Sequence, residues 1–83
     1  MAKEKIDKVF YRKLGEILNT ERRKLGYSLR YVSELTGISR TTIDKYELGI
    51  ARIDLPRWKS LCKSLQISEN LNVKIAIGMR DYE

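Results

Sequence analysis

Apolar residues recur at helical spacing along the first third of the chain. The first stripe consists of Phe10, Leu14, Ile17, Leu18 and Leu25. This spacing predicts a helix over residues 8–24, with Asp7 as its N-cap. Gly26 is predicted to end this helix. Arg22, Arg23 and Lys24 in its last turn complement the negative end of the helix dipole.

Two shorter patterned segments follow, separated by a glycine. Ser28 is the predicted cap of a second helix that runs to about Thr36 and is broken by Gly37. Ser39 is the predicted cap of a third helix over residues 40–48, which Gly49 ends. Two helices joined by a Gly-containing turn of about three residues form a helix-turn-helix arrangement.

A fourth stripe follows the third helix at spacings of three and four residues. Its members are Leu55, Trp58, Leu61, Cys62 and Leu65. It predicts a fourth helix with Pro56 in the first turn, where a missing backbone N–H is tolerated. Because Trp58 and Cys62 lie on the stripe, both are predicted to be core residues rather than a ligand or a redox site.

The periodicity changes in the last segment. Apolar and other residues alternate over residues 71–79, and three of the apolar residues, Val73, Ile75 and Ile77, are β-branched. Strict alternation predicts a β-strand, which has no second strand in the chain to pair with. Antiparallel pairing with the same segment of a second copy would satisfy the backbone hydrogen bonds of this strand. These three residues are therefore the predicted dimerisation element. The alternative is a short fifth helix that begins at residues 68–71.

Composition narrows the class of protein. The 83 residues carry a net charge of +6, and residues 1–27 alone hold eight basic and four acidic side chains. Such an excess favours nucleic acid as the partner, with an anionic membrane surface second. With one cysteine and no histidine, a disulfide and a zinc site are not expected, nor is any cofactor. No apolar run is long enough to span a bilayer and no signal-peptide core is present, so the cytoplasm is the expected compartment.

An enzyme is also not expected. The chain has no histidine, no nucleophile–base pair and no glycine-rich phosphate loop.

The third predicted helix has two chemically different faces. At 100° per residue, Ile43, Tyr46 and Glu47 cluster on one face. The opposite face consists of Thr41, Asp44, Lys45 and Leu48. Arg40 stands at the N-terminal end, where a recognition helix first meets base edges.

The stretches "LGEILNTERRKLGYSLRYVSELTGISRTTIDKYELG" and "LPRWKSLCKSLQIS" resemble the Cro/phage-repressor family of helix-turn-helix domains. The resemblance covers residues 14–67 and implies a mainly α, compact, lambda-repressor-like domain of four to five helices, to which the pattern adds the C-terminal β-strand. The expected organisation is a basic N-terminal arm at 1–7, the DNA-binding domain at 8–70 and the strand or tail at 71–83.

The resemblance also implies roles for individual residues. Base contacts fall on Arg40, Thr41 and Lys45. Asp44 departs from the family pattern, and by its own chemistry it either holds Arg40 or accepts a hydrogen bond from a cytosine amino group. The residues expected to contact phosphate are Ser28, Leu29, Arg30, Thr42 and Arg52. Arg22 and Glu47 fall where relatives have an ion pair that joins the first helix to the third, which is a structural role.

Two functions are compatible with this pattern. The first is a sequence-specific regulator of transcription that binds double-stranded DNA, a repressor of phage or mobile-element type acting as a dimer on a palindromic operator. The alternative is an interaction module, such as an antitoxin or a repressor-binding protein, that uses the C-terminal strand to bind a protein partner. Outward-facing Arg40 and Lys45 favour the first, since a pure interaction module does not need them.

Overall fold

The computed structural model describes residues 2–67 of the chain, with side chains from residue 8 onward. This part of the chain contains four helices and no strand: α1 (Ala2–Lys24), α2 (Leu29–Thr36), α3 (Arg40–Glu47) and α4 (Leu55–Ser64). The predicted mainly helical fold and the order of its helices are therefore confirmed. Within residues 2–67, no helix is long and apolar enough to cross a membrane.

Several predictions for the C-terminal segment lie outside the described residues. They are the strand at 71–79, the alternative fifth helix at 68–71 and the dimerisation residues Val73, Ile75 and Ile77.

Side-chain caps set the starts of the three shorter helices. The predicted caps Ser28 and Ser39 are confirmed: their side chains accept the backbone N–H of Tyr31 at 3.0 Å and of Thr42 at 3.2 Å, respectively. Asp54 caps α4 by accepting the N–H of Arg57 at 2.8 Å. Sequence reasoning missed this third cap, although an aspartate shortly before a proline is a helix-start signal.

The predicted start of the first helix was wrong. Helix α1 begins at Ala2, so Asp7 lies inside the helix and is not its N-cap. Residues 2–7, predicted to form an arm, are part of this helix. Alanine, lysine and glutamate near the N-terminus are strong helix formers, and no glycine or proline interrupts them, so the helix extends through the possible cap.

Three hydrogen bonds hold the turn between α2 and α3. Gly37, which ends α2 as predicted, adopts a left-handed conformation with φ 77°, and its N–H donates to the Ser33 carbonyl at 2.8 Å. The Thr36 hydroxyl donates to the Val32 carbonyl at 2.8 Å and accepts the N–H of Ile38 at 3.2 Å. Ile38, the residue after Gly37 in this turn, is buried in the core.

The core lies between α1, the helix-turn-helix pair and α4. Its buried members are Tyr11, Leu14, Leu18, Val32, Ile38, Ile43, Tyr46, Ile53, Trp58, Leu61, Cys62, Leu65 and Ile67. Trp58 and Cys62 are fully buried, which confirms their predicted role in the core. Burial raises the pKa of the Cys62 thiol to about 12, so the thiol is protonated and unreactive at neutral pH.

Helix α1 contacts α3 at the level of the backbone. A Cβ atom placed on Gly15 would lie 2.3 Å from the Tyr46 carbonyl oxygen and 2.5 Å from that of Glu47. No side chain fits in this space, so glycine is required here for close approach, although it weakens the helix. The sequence pattern did not identify this contact, because a glycine inside a helix does not reveal what lies against it.

We expect Gly15→Ala to destabilise the fold by about 1–3 kcal/mol, because α1 and α3 must separate to admit the new methyl group. Helix propensity alone would stabilise this variant by about 1 kcal/mol. A decrease in the free energy of unfolding would therefore indicate the steric clash between α1 and α3. Urea unfolding followed by circular dichroism measures it.

Gly26→Ala is the comparison variant without a steric clash. Unlike Gly15, Gly26 has a positive φ of 72°, and no atom lies within 4 Å of a Cβ placed there, so the cost of Gly26→Ala is limited to backbone strain of about 1–2 kcal/mol. A Gly15→Ala protein that is as stable as the wild type would show that α1 and α3 do not approach this closely.

Candidate nucleic-acid interface

Helix α3 is buried on one face and exposed on the other. Ile43 and Tyr46 are buried in the core, and the Glu47 side chain is only 5% exposed. The exposed side chains are Arg40, Thr41, Asp44, Lys45 and Leu48. We call these five residues the reading face. The division predicted from helical periodicity is therefore present in the structure.

The reading face offers both charged and neutral hydrogen-bonding groups. Arg40 and Lys45 are donors, Asp44 is an acceptor, and Thr41 carries a hydroxyl and a methyl group. Of the two predicted roles for Asp44, the pairing with Arg40 is not seen: within the described residues, the two side chains form no ion pair. The Asp44 carboxylate and the Arg40 guanidinium therefore both remain available to a ligand.

Thr42 lies at the edge of α3 and is half-buried. Its hydroxyl oxygen accepts a hydrogen bond from the Ser39 hydroxyl at 2.8 Å, next to the cap of the helix. Because the oxygen is the acceptor in that bond, the Thr42 hydroxyl proton can still be donated to an anion.

The N-terminus of α2 presents unbonded backbone donors. The Ser28 side chain takes up the N–H of Tyr31, whereas the N–H groups of Leu29 and Arg30 have no acceptor in the described part of the chain. The rings of Tyr27 and Tyr31 pack edge to face at 4.7 Å beside this end. The positive end of the helix dipole and two free N–H groups form a site for an anion such as phosphate.

The two predicted phosphate-binding arginines lie in different surroundings. Arg30 forms an exposed pair with Glu34, with Nε 3.3 Å from Oε1. Arg52 follows α3, and its guanidinium carbon lies 5.9 Å from the centroid of the Tyr11 ring. A cation–π contact of this kind orients the guanidinium.

A buried ion pair ties these elements together. Arg22 on α1 donates from Nε to Glu47 Oε2 at 2.6 Å and from Nη2 to Oε1 at 2.9 Å. These contacts form the bidentate pair that the family resemblance implied. The remaining nitrogen, Nη1, donates to the backbone carbonyl of Tyr27 at 2.8 Å, and Asn19 donates to Glu47 Oε1 at 2.7 Å. The network thus joins α1, the residue before the α2 cap and α3.

The geometry of the pair favours the charged form of Arg22. The hydrogen bond from Arg22 to Glu47 raises the pKa of the guanidinium, and this effect outweighs the opposing effect of burial. Sequence reasoning missed Asn19 and the Tyr27 carbonyl, which complete the network. Nothing in the pattern identifies them, since Asn19 could equally be a solvated polar residue and the carbonyl carries no sequence signature.

The described residues contain no group of three or more histidine, cysteine, aspartate or glutamate side chains able to hold a metal ion.

The family model described as "Helix-turn-helix" matches residues 18–72, about two thirds of the chain. No curated protein and no solved structure matches the chain.

Removing the Arg22 side chain should cost about 3 kcal/mol of folding free energy, because the Glu47 carboxylate would stay buried without its cation. Arg22→Met tests this by urea unfolding, and Arg30→Met is the matched control. The Arg30–Glu34 pair is exposed, with 76% and 62% of the two side chains accessible, so its loss should cost less than about 1 kcal/mol.

The double variant Arg22→Met/Glu47→Met should be more stable than Arg22→Met alone, since it leaves no unpaired buried charge. Equal destabilisation by Arg22→Met and Arg30→Met would mean that the pair is solvated in solution.

Proposed function

Because this chain belongs to the Cro/phage-repressor family of helix-turn-helix DNA-binding regulators, we propose that it is a sequence-specific repressor of transcription. It binds a palindromic operator in double-stranded DNA as a dimer, of the type found in phages and other mobile elements, and excludes polymerase from the promoter. The observation that carries the proposal is the division of α3 into a buried face and a reading face with both signs of charge.

The reading face supplies the base contacts. Arg40 and Lys45 carry donors that suit the O6 and N7 atoms of guanine, and Asp44 suits the amino group of cytosine. Thr41 offers a hydroxyl to a base and a methyl group to thymine. The absence of an Arg40–Asp44 ion pair in the described residues supports this assignment, because neither group must break an existing pair to reach a base.

The N-terminus of α2 positions the domain on the DNA backbone. Phosphate oxygens accept from the free N–H groups of Leu29 and Arg30, next to the Ser28 cap, and the Arg30 guanidinium exchanges Glu34 for a phosphate. Thr42 and Arg52 serve further phosphates. Such contacts hold the register without reading the sequence.

Dimerisation belongs to the C-terminal segment in this proposal. The alternation of apolar residues over 71–79 favours a strand that pairs with its copy across a two-fold axis. Val73, Ile75 and Ile77 would form the apolar face of that contact. Two reading faces about 34 Å apart would then match half-sites one turn of DNA apart.

A duplex selected from a random pool provides the test of sequence reading. Arg40→Ala should weaken binding to the selected duplex by about 1–3 kcal/mol and relax the preference at one base pair. Arg30→Ala should weaken binding to selected and random duplexes alike and reduce the salt dependence of the affinity. Fluorescence anisotropy at several salt concentrations measures both effects.

The two substitutions remove the same charge from exposed positions, so each controls for the other. Identical profiles for Arg40→Ala and Arg30→Ala would show that α3 does not read bases. A wild-type protein that binds selected and random duplexes equally at physiological salt would rule out a sequence-specific regulator.

Truncation after Leu71 should produce monomers that retain the helical fold and bind a palindromic duplex far more weakly than the full chain does. The fold is expected to survive because the buried core described above ends at Ile67. Sedimentation measures the oligomeric state, and binding to a single half-site is the control, since it should change little. A truncated protein that sediments as a dimer would place the contact elsewhere.

A further inference from the structure

A groove borders the reading face. It has a volume of about 620 Å³ and lies between Lys8, Tyr11 and Arg12 of α1 and the loop formed by residues 48–52. None of the residues that the sequence pattern assigned to base or phosphate contact comes from this part of α1. The groove brings Lys8 and Arg12 next to the loop that carries Arg52.

The groove is held in place by backbone contact. Gly49 has a positive φ of 73°, and a Cβ atom placed on it would lie 2.7 Å from the Arg12 Cα. The loop after α3 therefore touches the backbone of α1 at Arg12, which sets the position of Arg12 relative to the end of α3. Lys8 lies one helical turn before Arg12, on the same side of α1.

The groove is strongly basic. Lys8, Arg12 and Arg52 all line it, and none of its described lining residues is acidic. Neither Lys8 nor Arg12 forms an ion pair with a described residue. Lys8 and Arg12 are like charges four residues apart on one helix, and they repel each other unless an anion binds between them.

Leu48 relates this groove to the reading face. It is 60% exposed, and it lines both this groove and a separate one that contains Leu29 of α2 and Asp44 of α3. The reading face thus has the α2 N-terminus on one side of Leu48 and the basic groove on the other. A helix in the major groove of DNA, which is about 12 Å wide, likewise lies between two sugar-phosphate backbones.

We propose that the groove between α1 and the 48–52 loop binds phosphates of the DNA strand opposite to the one held by the α2 N-terminus. Lys8 and Arg12 contact these phosphates, and Ile50, which is 69% exposed, packs against the adjoining sugars. This inference rests on the function proposed above and adds a second backbone contact to it. Each half-site is then held on both walls of the major groove.

The salt dependence of binding to the selected duplex provides the first test. Each lost phosphate contact should reduce the affinity loss between 50 and 200 mM salt by about threefold, while the preferred base sequence stays the same. Lys8→Gln and Arg12→Gln are therefore expected to flatten the salt dependence and to weaken binding at low salt.

Lys13→Gln is the matched control. Lys13 is an exposed cation on the same helix, but it lies on another side of α1, beside Glu16 and Ile17. Lys13→Gln removes the same positive charge as Lys8→Gln, but Lys13 does not line the groove and is not expected to contact its phosphates. Lys8→Gln and Arg12→Gln variants that behave like Lys13→Gln would overturn the inference.

Replacing single phosphates by neutral methylphosphonates identifies the contact itself. One such replacement, on the strand opposite to the α2 contact, should weaken binding of the wild type and should have no further effect on the Lys8→Gln/Arg12→Gln double variant. Additive losses at every phosphate would overturn the inference.

The two proposals fail in different ways. If the groove variants match the control while Arg40→Ala still relaxes the base preference, only the second backbone contact is wrong. If the wild type does not distinguish selected from random duplexes, the proposed function itself fails. Binding of an acidic protein in the groove, with no effect of the variants on DNA affinity, would count against the inference.

Discussion

The interface depends on one buried ion pair, between Arg22 of α1 and Glu47 of α3. Taking two charges out of water is costly, and it is compensated only when every lone pair and proton finds a partner. Here Asn19 and the Tyr27 carbonyl provide two further hydrogen-bond partners. The network therefore has few alternative arrangements, and it holds the start of α2 and the reading face of α3 in one relative orientation.

In the proposed function, that orientation separates positioning from reading. The free N–H groups at the α2 N-terminus are proposed to contact the DNA backbone, and the side chains of α3 are proposed to contact bases. The close approach at Gly15 and the contact of Gly49 with Arg12 both hold the C-terminal end of α3 against α1. Because the C-terminal end of α3 contacts α1 through backbone, its side chains have a well-defined starting position, which the proposed recognition of bases requires.

Local sequence signals accounted for most of the helix boundaries. Ser28 and Ser39 begin helices and Gly37 makes the turn, because capping and positive φ are properties of a few adjacent residues. The start of α1 was missed for the same reason: Asp7 can cap a helix or lie within one, and local chemistry does not distinguish the two. The Arg22–Glu47 pair came from family resemblance, since 25 residues separate its members.

The sequence by itself determined the helices, their buried stripes and the chemical character of α3, because these depend on periodicity and on near neighbours along the chain. Only the tertiary structure decided which surfaces meet. Gly15 against the carbonyls of α3, Asn19 on Glu47, and Lys8 and Arg12 beside the 48–52 loop are all contacts between distant segments. Helical periodicity states which face of an element is apolar, but it does not state the angle or the distance at which two elements pack.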